Sequence, residues 1–219
     1  MNALPLRLFV HVEEPSAKEA LDALLPKLIG PRQLDTRVIE HGGKASLLNN
    51  LPNRLRGYAA MPAEHVRVMV LVDRDREECH TLKARLEEAA RDAGMPTKTH
   101  PTASGHFRVV NRIVIEELEA WFIGDIEALR TAFPRLPASL GQRAPFRNPD
   151  AVPGGTWEAL HRALQRSGYY VASDRLPKIE LARLVAKQMR PERNRSASFR
   201  TFVHGLDALV SESDAKLTG

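Results

Sequence analysis

Hydrophobic and polar positions follow two different periods in the first half of the chain. Apolar runs typical of strands occur at Leu6–Val12, Thr36–Glu40, Val66–Val72 and Phe107–Ile115. The third run is almost entirely apolar, as expected for a strand that is covered on both faces. Segments with apolar residues every three to four positions lie between these runs and predict helices. The alternation predicts an α/β fold, with a mostly parallel sheet and helices on both faces.

The helix boundaries follow from local signals. Ser16 and Glu19 match the Ser-x-x-Glu pattern of a capping box, which predicts that the first helix begins at Ser16. Pro26 is unfavourable inside a helix and is expected to shorten it. Two further helices are predicted around Leu47–Leu55 and over Glu77–Ala93, the second ending before Gly94 and Pro96.

The composition changes after Phe133, where five prolines and a Gly-Gly pair mark a long irregular connection. Helical patterns return at Thr156–Ser167, Leu176–Gln188 and Ser198–Ser211. We therefore predict an α/β domain over residues 1–133, followed over residues 134–219 by a Pro-rich connection and a C-terminal helical extension packed on it.

The overall composition excludes several classes of protein. Apolar residues make up 43% of the 219 residues and charged residues 27%, which is typical of a globular chain. No segment approaches the roughly 18 uninterrupted apolar residues of a membrane span, so no membrane association is expected. The single cysteine, Cys79, excludes an internal disulfide framework and makes the cytoplasm the expected compartment.

The net charge of +5 is unevenly distributed. Residues 1–150 carry 21 basic and 20 acidic residues, whereas residues 151–200 carry ten basic and four acidic ones. A basic region of this kind fits a phosphate-rich partner such as DNA or RNA. Solvated helix faces with no partner are the alternative reading of the same pattern.

Acidic residues follow the predicted strands in three places: Glu13-Glu14, Asp73-x-Asp75 and Glu117-x-Glu119. Hard divalent cations need carboxylate oxygens that converge from separate elements, and strand ends can supply them. The i, i+2 spacing of an extended backbone would place the side chains of Asp73 and Asp75 on the same side.

The three clusters predict a Mg²⁺ or Mn²⁺ site whose ligands are Glu13, Asp73, Asp75, Glu117 and Glu119. Alternatives remain for each cluster taken alone. Glu117 and Glu119 could be acids favoured by a helix N-terminus, as could Glu13 and Glu14. An Asp-x-Asp motif also arises readily by chance.

The order strand-Glu followed by strand-Asp-x-Asp resembles the Toprim domain of topoisomerases, primases and related nucleases. Several segments together resemble more closely the bacterial, Toprim-like family catalogued as domain of unknown function 4276. These segments are Phe9–Ser16, Leu55–Ala59, Val70–Asp75, Ile115–Phe122, Gly154–Glu158 and Arg193–Phe199. They span nearly the whole chain.

The resemblance implies a divalent-metal nuclease that acts on DNA or RNA phosphodiesters, often in bacterial defence loci beside an ATPase partner. Glu13 takes the first acidic position of the family, and Asp73 and Asp75 take the Asp-x-Asp. Glu14 stands where many Toprim domains have glycine. Lys178 matches a lysine of related sequences and could stabilise charge on a transferring phosphate. The predicted catalytic residues are Glu13, Asp73, Asp75, Glu117 and Lys178.

Other readings are weaker or remain open. A non-catalytic or conditionally active subunit that docks an ATPase is the main rival to the nuclease, and a homo-oligomer is left open. His41, His100 and His106 lack the spacing of a zinc motif. The sequence Gly42-Gly43-Lys44 lacks the spacing of a phosphate-binding loop and is assigned to an ordinary turn.

Overall fold

The apolar runs of the first half form four parallel strands. A computed structural model describes residues 5–32, 34–75 and 77–214. The strands are β1 (Leu6–Val12), β2 (Leu34–Glu40), β3 (Val66–Asp73) and β4 (Val109–Val114). Their order in the sheet is β2-β1-β3-β4, and every neighbouring pair is parallel. The two acidic strand ends, those of β1 and β3, are therefore adjacent at one edge of the sheet.

Helices connect and follow the strands. They are α1 (Pro15–Ile29), α2 (Lys44–Ala59), α3 (Cys79–Asp92), α4 (Glu119–Gly124), α5 (Ile126–Ala132), α6 (Ala144–Arg147), α7 (Thr156–Arg166), α8 (Lys178–Gln188) and α9 (Ala197–Asp214). Short 3₁₀ turns occupy Ala63–His65, Leu140–Gln142 and Pro191–Arg193. The predicted α/β class, with a parallel sheet, flanking helices and a C-terminal helical part, is confirmed.

Each strand contributes alternate residues to two hydrophobic cores. In β3, Val68 and Val70 face a core shared with α2 and α3, while Met69 and Leu71 face a larger core on the other side. The larger core also contains Leu181 of α8 and Phe199 and Phe202 of α9. The C-terminal helices and the sheet thus share one continuous apolar interior, which holds the start of α8 against the acidic edge.

Several local predictions are corrected. The capping box at Ser16 is wrong, because α1 begins at Pro15 with Glu14 as its N-cap and no side-chain cap. Glu19 instead binds the guanidinium of Arg183 through two hydrogen bonds of 3.0 and 3.2 Å. Pro26 does not shorten α1, which continues to Ile29.

Two short helices follow β4. They are α4, which begins at Glu119, and α5, which begins at Ile126. Asp125 separates them: its Oδ1 accepts a hydrogen bond from the backbone of Ala128, and its Oδ2 from the backbone of Arg190. In the part of the chain that the structure describes, none of the helices is both long and apolar enough to cross a membrane.

A partly buried hydrogen-bond network fixes the start of α9. Asp150 accepts hydrogen bonds from the hydroxyls of Ser196 and Ser198 at 2.7 and 2.9 Å and from the backbone of Ala197 at 2.5 Å. Ser198 in turn accepts a hydrogen bond from the indole of Trp121. The segment Arg193–Phe199 therefore holds α4, the helix whose first residue is Glu119, in place.

A second buried network surrounds Glu87 of α3. Its carboxylate receives Lys83 Nζ at 2.7 Å, Asn111 Nδ2 at 3.0 Å and the hydroxyl of Thr97. Burial alone raises the pKa of Glu87, but these donors outweigh it and lower the pKa to about 2. The charged carboxylate therefore ties α3 to β4 and to the loop before it.

We expect Glu87→Ala to lower the free energy of unfolding by about 2–4 kcal/mol, because it leaves the donors of Lys83 and Asn111 without their acceptor. Urea denaturation at pH 7 measures the effect. Glu88→Ala is the matched control, since Glu88 is exposed and its contact with Arg91 is 3.5 Å long. Equal losses in the two variants would contradict a stabilising role for the Glu87 network.

Candidate functional site

The acidic ends of β1 and β3 meet directly. Glu13 follows β1, and its Oε1 accepts a hydrogen bond of 2.7 Å from the backbone nitrogen of Asp73, the last residue of β3. The contact forms because the parallel strands are neighbours and end at the same level of the sheet. The structure thus brings together the two residues that the sequence analysis placed first among the metal ligands.

Glu119 and Lys178 complete a small pocket at this edge. The residues that line it are Glu13, Glu14, Ser16, Ala17, Leu71, Asp73, Leu118, Glu119 and Lys178. Its volume of about 10 Å³ matches one water-sized occupant. Glu119 is only 1% exposed, and its Oε2 has no hydrogen-bond partner among the described residues. An unsatisfied buried carboxylate oxygen is costly, and a bound cation would offset that cost.

The carboxyl groups of the pocket are hard to ionise together. Burial raises the pKa of Glu13 to about 7, and burial likewise raises the pKa of Glu119 to about 7. The pKa of Asp73 is raised well above its usual value by burial and by the neighbouring charges of Glu13, Glu119 and Asp75. Metal-free, the pocket therefore retains protons near neutral pH, and a cation would displace them.

Lys178 is the cation that faces this pocket from the C-terminal segment. It is the first residue of α8, and its Nζ lies 3.7 Å from Glu119 Oε1 and 3.9 Å from Glu14 Oε2. These carboxylates outweigh the effect of burial and raise the pKa of Lys178, so the ammonium stays charged. Lys178 thus lies beside the acidic residues of the pocket, and its catalytic role stays a prediction.

Glu117 lies close to Glu119 in sequence but has a different partner. Its Oε2 accepts a hydrogen bond of 2.9 Å from the hydroxyl of Thr156, the first residue of α7. Its charge also raises the pKa of Glu119 and of Lys178. The charge of Glu117 therefore acts on Glu119 and Lys178. Thr156, which the sequence analysis did not single out, orients the Glu117 carboxylate.

Asp75 departs from the predicted geometry. Strand β3 ends at Asp73, and Asp75 has a left-handed backbone with a φ of 50°. The expectation that Asp73 and Asp75 leave the same side of an extended backbone is therefore wrong. The side chain of Asp75 is 51% exposed, and its Oδ2 lies 2.6 Å from Lys44 Nζ. Its role as a metal ligand stays a prediction.

Lys44 is a site residue that the sequence analysis missed. Its Nζ lies 2.6 Å from Asp75 Oδ2 and 3.1 Å from Glu77 Oε1, and it donates a hydrogen bond to the carbonyl of Arg74. The sequence signal that could have identified it is the preceding pair Gly42-Gly43. Their φ angles of 70° and 127° form a turn that residues with a side chain rarely adopt. That turn starts α2 beside the acidic edge.

The described residues contain no group of three or more His, Cys, Asp or Glu side chains arranged to hold a metal ion. The chemistry of the pocket nevertheless fits a hard divalent cation, because the candidate donors are all carboxylate oxygens. Glu119 lines the pocket, and its Oε2 has no hydrogen-bond partner in the described part of the chain. The side chains of Glu13, Asp73 and Glu119 would therefore have to move to bind an ion together.

A histidine pair lies on the face of β1 that packs against α2. His11 is fully buried, with Nδ1 2.8 Å from His41 Nε2 and Nε2 3.1 Å from the hydroxyl of Tyr58. Burial lowers the pKa of His11 to about 3, so its ring is neutral. The pair ties the turn after β2 to the sheet and thereby helps to position the residues that lead to Lys44.

Part of the basic excess of residues 151–200 is used inside the molecule. Arg183 binds Glu19, and Arg193 lies 3.0 Å from Asp125 and 2.6 Å from Glu127. These ion pairs join the C-terminal segment to α1 and to the start of α5. A continuous basic surface for nucleic acid stays a prediction.

Comparison with known proteins identifies one family. The family model described as domain of unknown function (DUF4276) matches residues 12–207. No curated protein and no solved structure matches the chain. The match spans the pocket, the turn that carries Lys44 and most of α9.

Proposed function

The chain belongs to the family described as domain of unknown function 4276, and we propose that it is a divalent-metal-dependent hydrolase of nucleic-acid phosphodiesters. The observation that carries the proposal is the pocket of Glu13, Asp73 and Glu119, in which a buried carboxylate oxygen lacks a partner among the described residues. Such a set of oxygen donors is suited to Mg²⁺ or Mn²⁺. The resemblance to Toprim nucleases supports the same chemistry.

The residues of the pocket have separate tasks in this proposal. Glu13, Asp73 and Glu119 hold the ion, which when bound would polarise a phosphoryl oxygen and acidify a water molecule. Asp73 N orients Glu13 through the 2.7 Å hydrogen bond. Lys178, charged and directed at the same pocket, offsets negative charge that develops on the phosphate.

An open groove beside the pocket supports a polymeric substrate. The groove has a volume of about 720 Å³ and runs between the starts of α1 and α8. The residues that line it are Glu14, Pro15, Ser16, Pro177, Lys178, Ile179, Glu180 and Arg183. Since Lys178 belongs to both the groove and the pocket, a phosphodiester in the groove would reach the ion without entering the protein interior.

A second candidate function is a subunit that docks an ATPase, in the setting of a bacterial defence system. Three large apolar side chains favour it: Val171, Ile179 and Leu184 are 67%, 44% and 38% exposed. All three lie in the C-terminal segment. Exposed apolar side chains are typical of protein-binding surfaces when they form a patch. In this reading the acidic pocket acts only once the partner is bound.

The test is incubation of the purified chain with supercoiled plasmid, linear single-stranded DNA and transfer RNA, in Mg²⁺, in Mn²⁺ and with EDTA. We expect cleavage of at least one substrate, dependent on the metal and abolished by EDTA. Asp22→Asn should cleave as the wild type does, because Asp22 is an exposed carboxylate that binds Lys18 on α1, outside the pocket. No cleavage under any condition, with folded protein, would favour the docking subunit.

A further inference from the structure

We propose that Lys44 takes the place of a second metal ion at the acidic edge, so that the chain binds one divalent cation rather than two. This inference rests on the proposed function, because it concerns the number of ions at the same site. It assigns Lys44 and Asp75 to each other and leaves Glu13, Asp73 and Glu119 to the ion.

The contacts of Lys44 resemble those of a bound cation. Its ammonium is surrounded by oxygens of Asp75 at 2.6 Å, Glu77 at 3.1 Å and the carbonyl of Arg74 at 3.4 Å. An ammonium offers three donors, and each of these oxygens is an acceptor. The oxygens that a second ion would need are thus already occupied by a charge that belongs to the chain.

The backbone holds Lys44 in this position. Gly43 donates a hydrogen bond of 2.8 Å to the carbonyl of Glu13, which fastens the glycine turn to the end of β1. Lys44 is the first residue of α2, and its side chain is only 14% exposed. The lysine side chain is therefore largely enclosed, and the turn before it is held by the end of β1. If the ammonium moved away, Asp75 and Glu77 would lose the cation that they share.

The geometry of Asp75 supports the same division. Two-metal sites place their ions roughly 3.5–4 Å apart and need carboxylates that bridge them. The backbone leaves the extended conformation at Asp75, where φ is 50°, and the pocket is lined by Asp73 and not by Asp75. The pocket itself, at about 10 Å³, has space for one occupant of the size of a water molecule.

The experiment counts Mn²⁺ ions bound to the full chain by isothermal titration and by the loss of the electron paramagnetic resonance signal of free Mn²⁺. We expect one ion for the wild type. Lys44→Met removes the charge and preserves much of the side-chain length, and we expect it to bind two ions. The second should bind roughly tenfold or more tightly than any weak second ion of the wild type.

Three further variants define the outcome. Lys44→Met combined with Asp75→Asn should return to one ion, because the new site loses a carboxylate. Lys18→Met, which removes an exposed lysine of α1, should leave one ion. Glu77→Gln alone, which removes an exposed carboxylate that contacts Lys44, should leave Mn²⁺ affinity within about twofold of the wild type, and this measurement applies even if Lys44→Met fails to fold.

The failures are distinguishable. Two ions in the wild type, a single ion in folded Lys44→Met, or a strong loss of affinity in Glu77→Gln would each overturn the role of Lys44 while the metal site stands. No Mn²⁺ binding to the folded wild type would overturn the proposed function itself.

Discussion

Asp73→Asn is expected to reduce metal-dependent phosphodiester cleavage by about a thousandfold or more, because one amide oxygen replaces a charged ligand of the ion. Asp73 lies at the centre of the site: it borders the pocket, and its backbone nitrogen binds Glu13. The measurement is the initial rate on the best nucleic-acid substrate at saturating Mn²⁺. Cleavage within about threefold of the wild type, by a folded variant, would remove Asp73 from the catalytic centre.

The same substitution should not damage the fold. Burial and three neighbouring carboxylates raise the pKa of Asp73, so the charged form is unfavourable in the metal-free protein. We therefore expect Asp73→Asn to be at least as stable as the wild type at pH 8 in EDTA. A lower melting temperature would show that the carboxylate has a structural role, and loss of cleavage could then not be assigned to chemistry alone.

The metal-free protein should lose stability as pH rises from about 4.5 to about 7. Glu13 and Glu119 each have a folded-state pKa raised from 4.5 to about 7, mainly by burial. The folded chain therefore binds more protons than the unfolded chain within this window, and its free energy of unfolding falls as those protons leave. Each carboxyl contributes a loss on the order of 3 kcal/mol, and His11, whose pKa falls from 6.5 to about 3 on folding, offsets part of it.

Urea denaturation in EDTA at pH 5 and pH 8 measures this effect, with Glu119→Gln as the test variant. The glutamine stays neutral, so its stability should fall less between the two pH values than that of the wild type. Glu88→Gln is the control, because Glu88 is an exposed carboxylate outside the site. Mn²⁺ should restore stability to the wild type at pH 8 and little to Glu119→Gln. Equal changes of stability between the two pH values in the wild type and in Glu119→Gln would contradict the carboxylate cluster.

The acidic strand ends could be predicted because they depend on local order in the chain. Apolar runs indicated β1 and β3, and parallel strands place their carboxyl ends at one edge, so Glu13 and Asp73 were expected at the same end of the sheet; the pairing of β1 with β3 makes them neighbours. The same reasoning failed for Asp75, since the spacing argument holds only while the backbone stays extended. A residue with a left-handed backbone, Asp75, follows shortly after β3, and the motif Asp-x-Asp does not predict it.

The sequence by itself determined the fold class, the strand-end acids and the place of Lys178 at the start of a helix, because these follow from periodicity and from patterns within a few residues. Only the tertiary structure decided which charges meet. Lys44 reaches Asp75 across 31 positions, and Thr156 reaches Glu117 across 39. Burial of Glu119 depends on α4 being clamped by the start of α9. Such contacts arise from packing between distant segments, which no local pattern encodes.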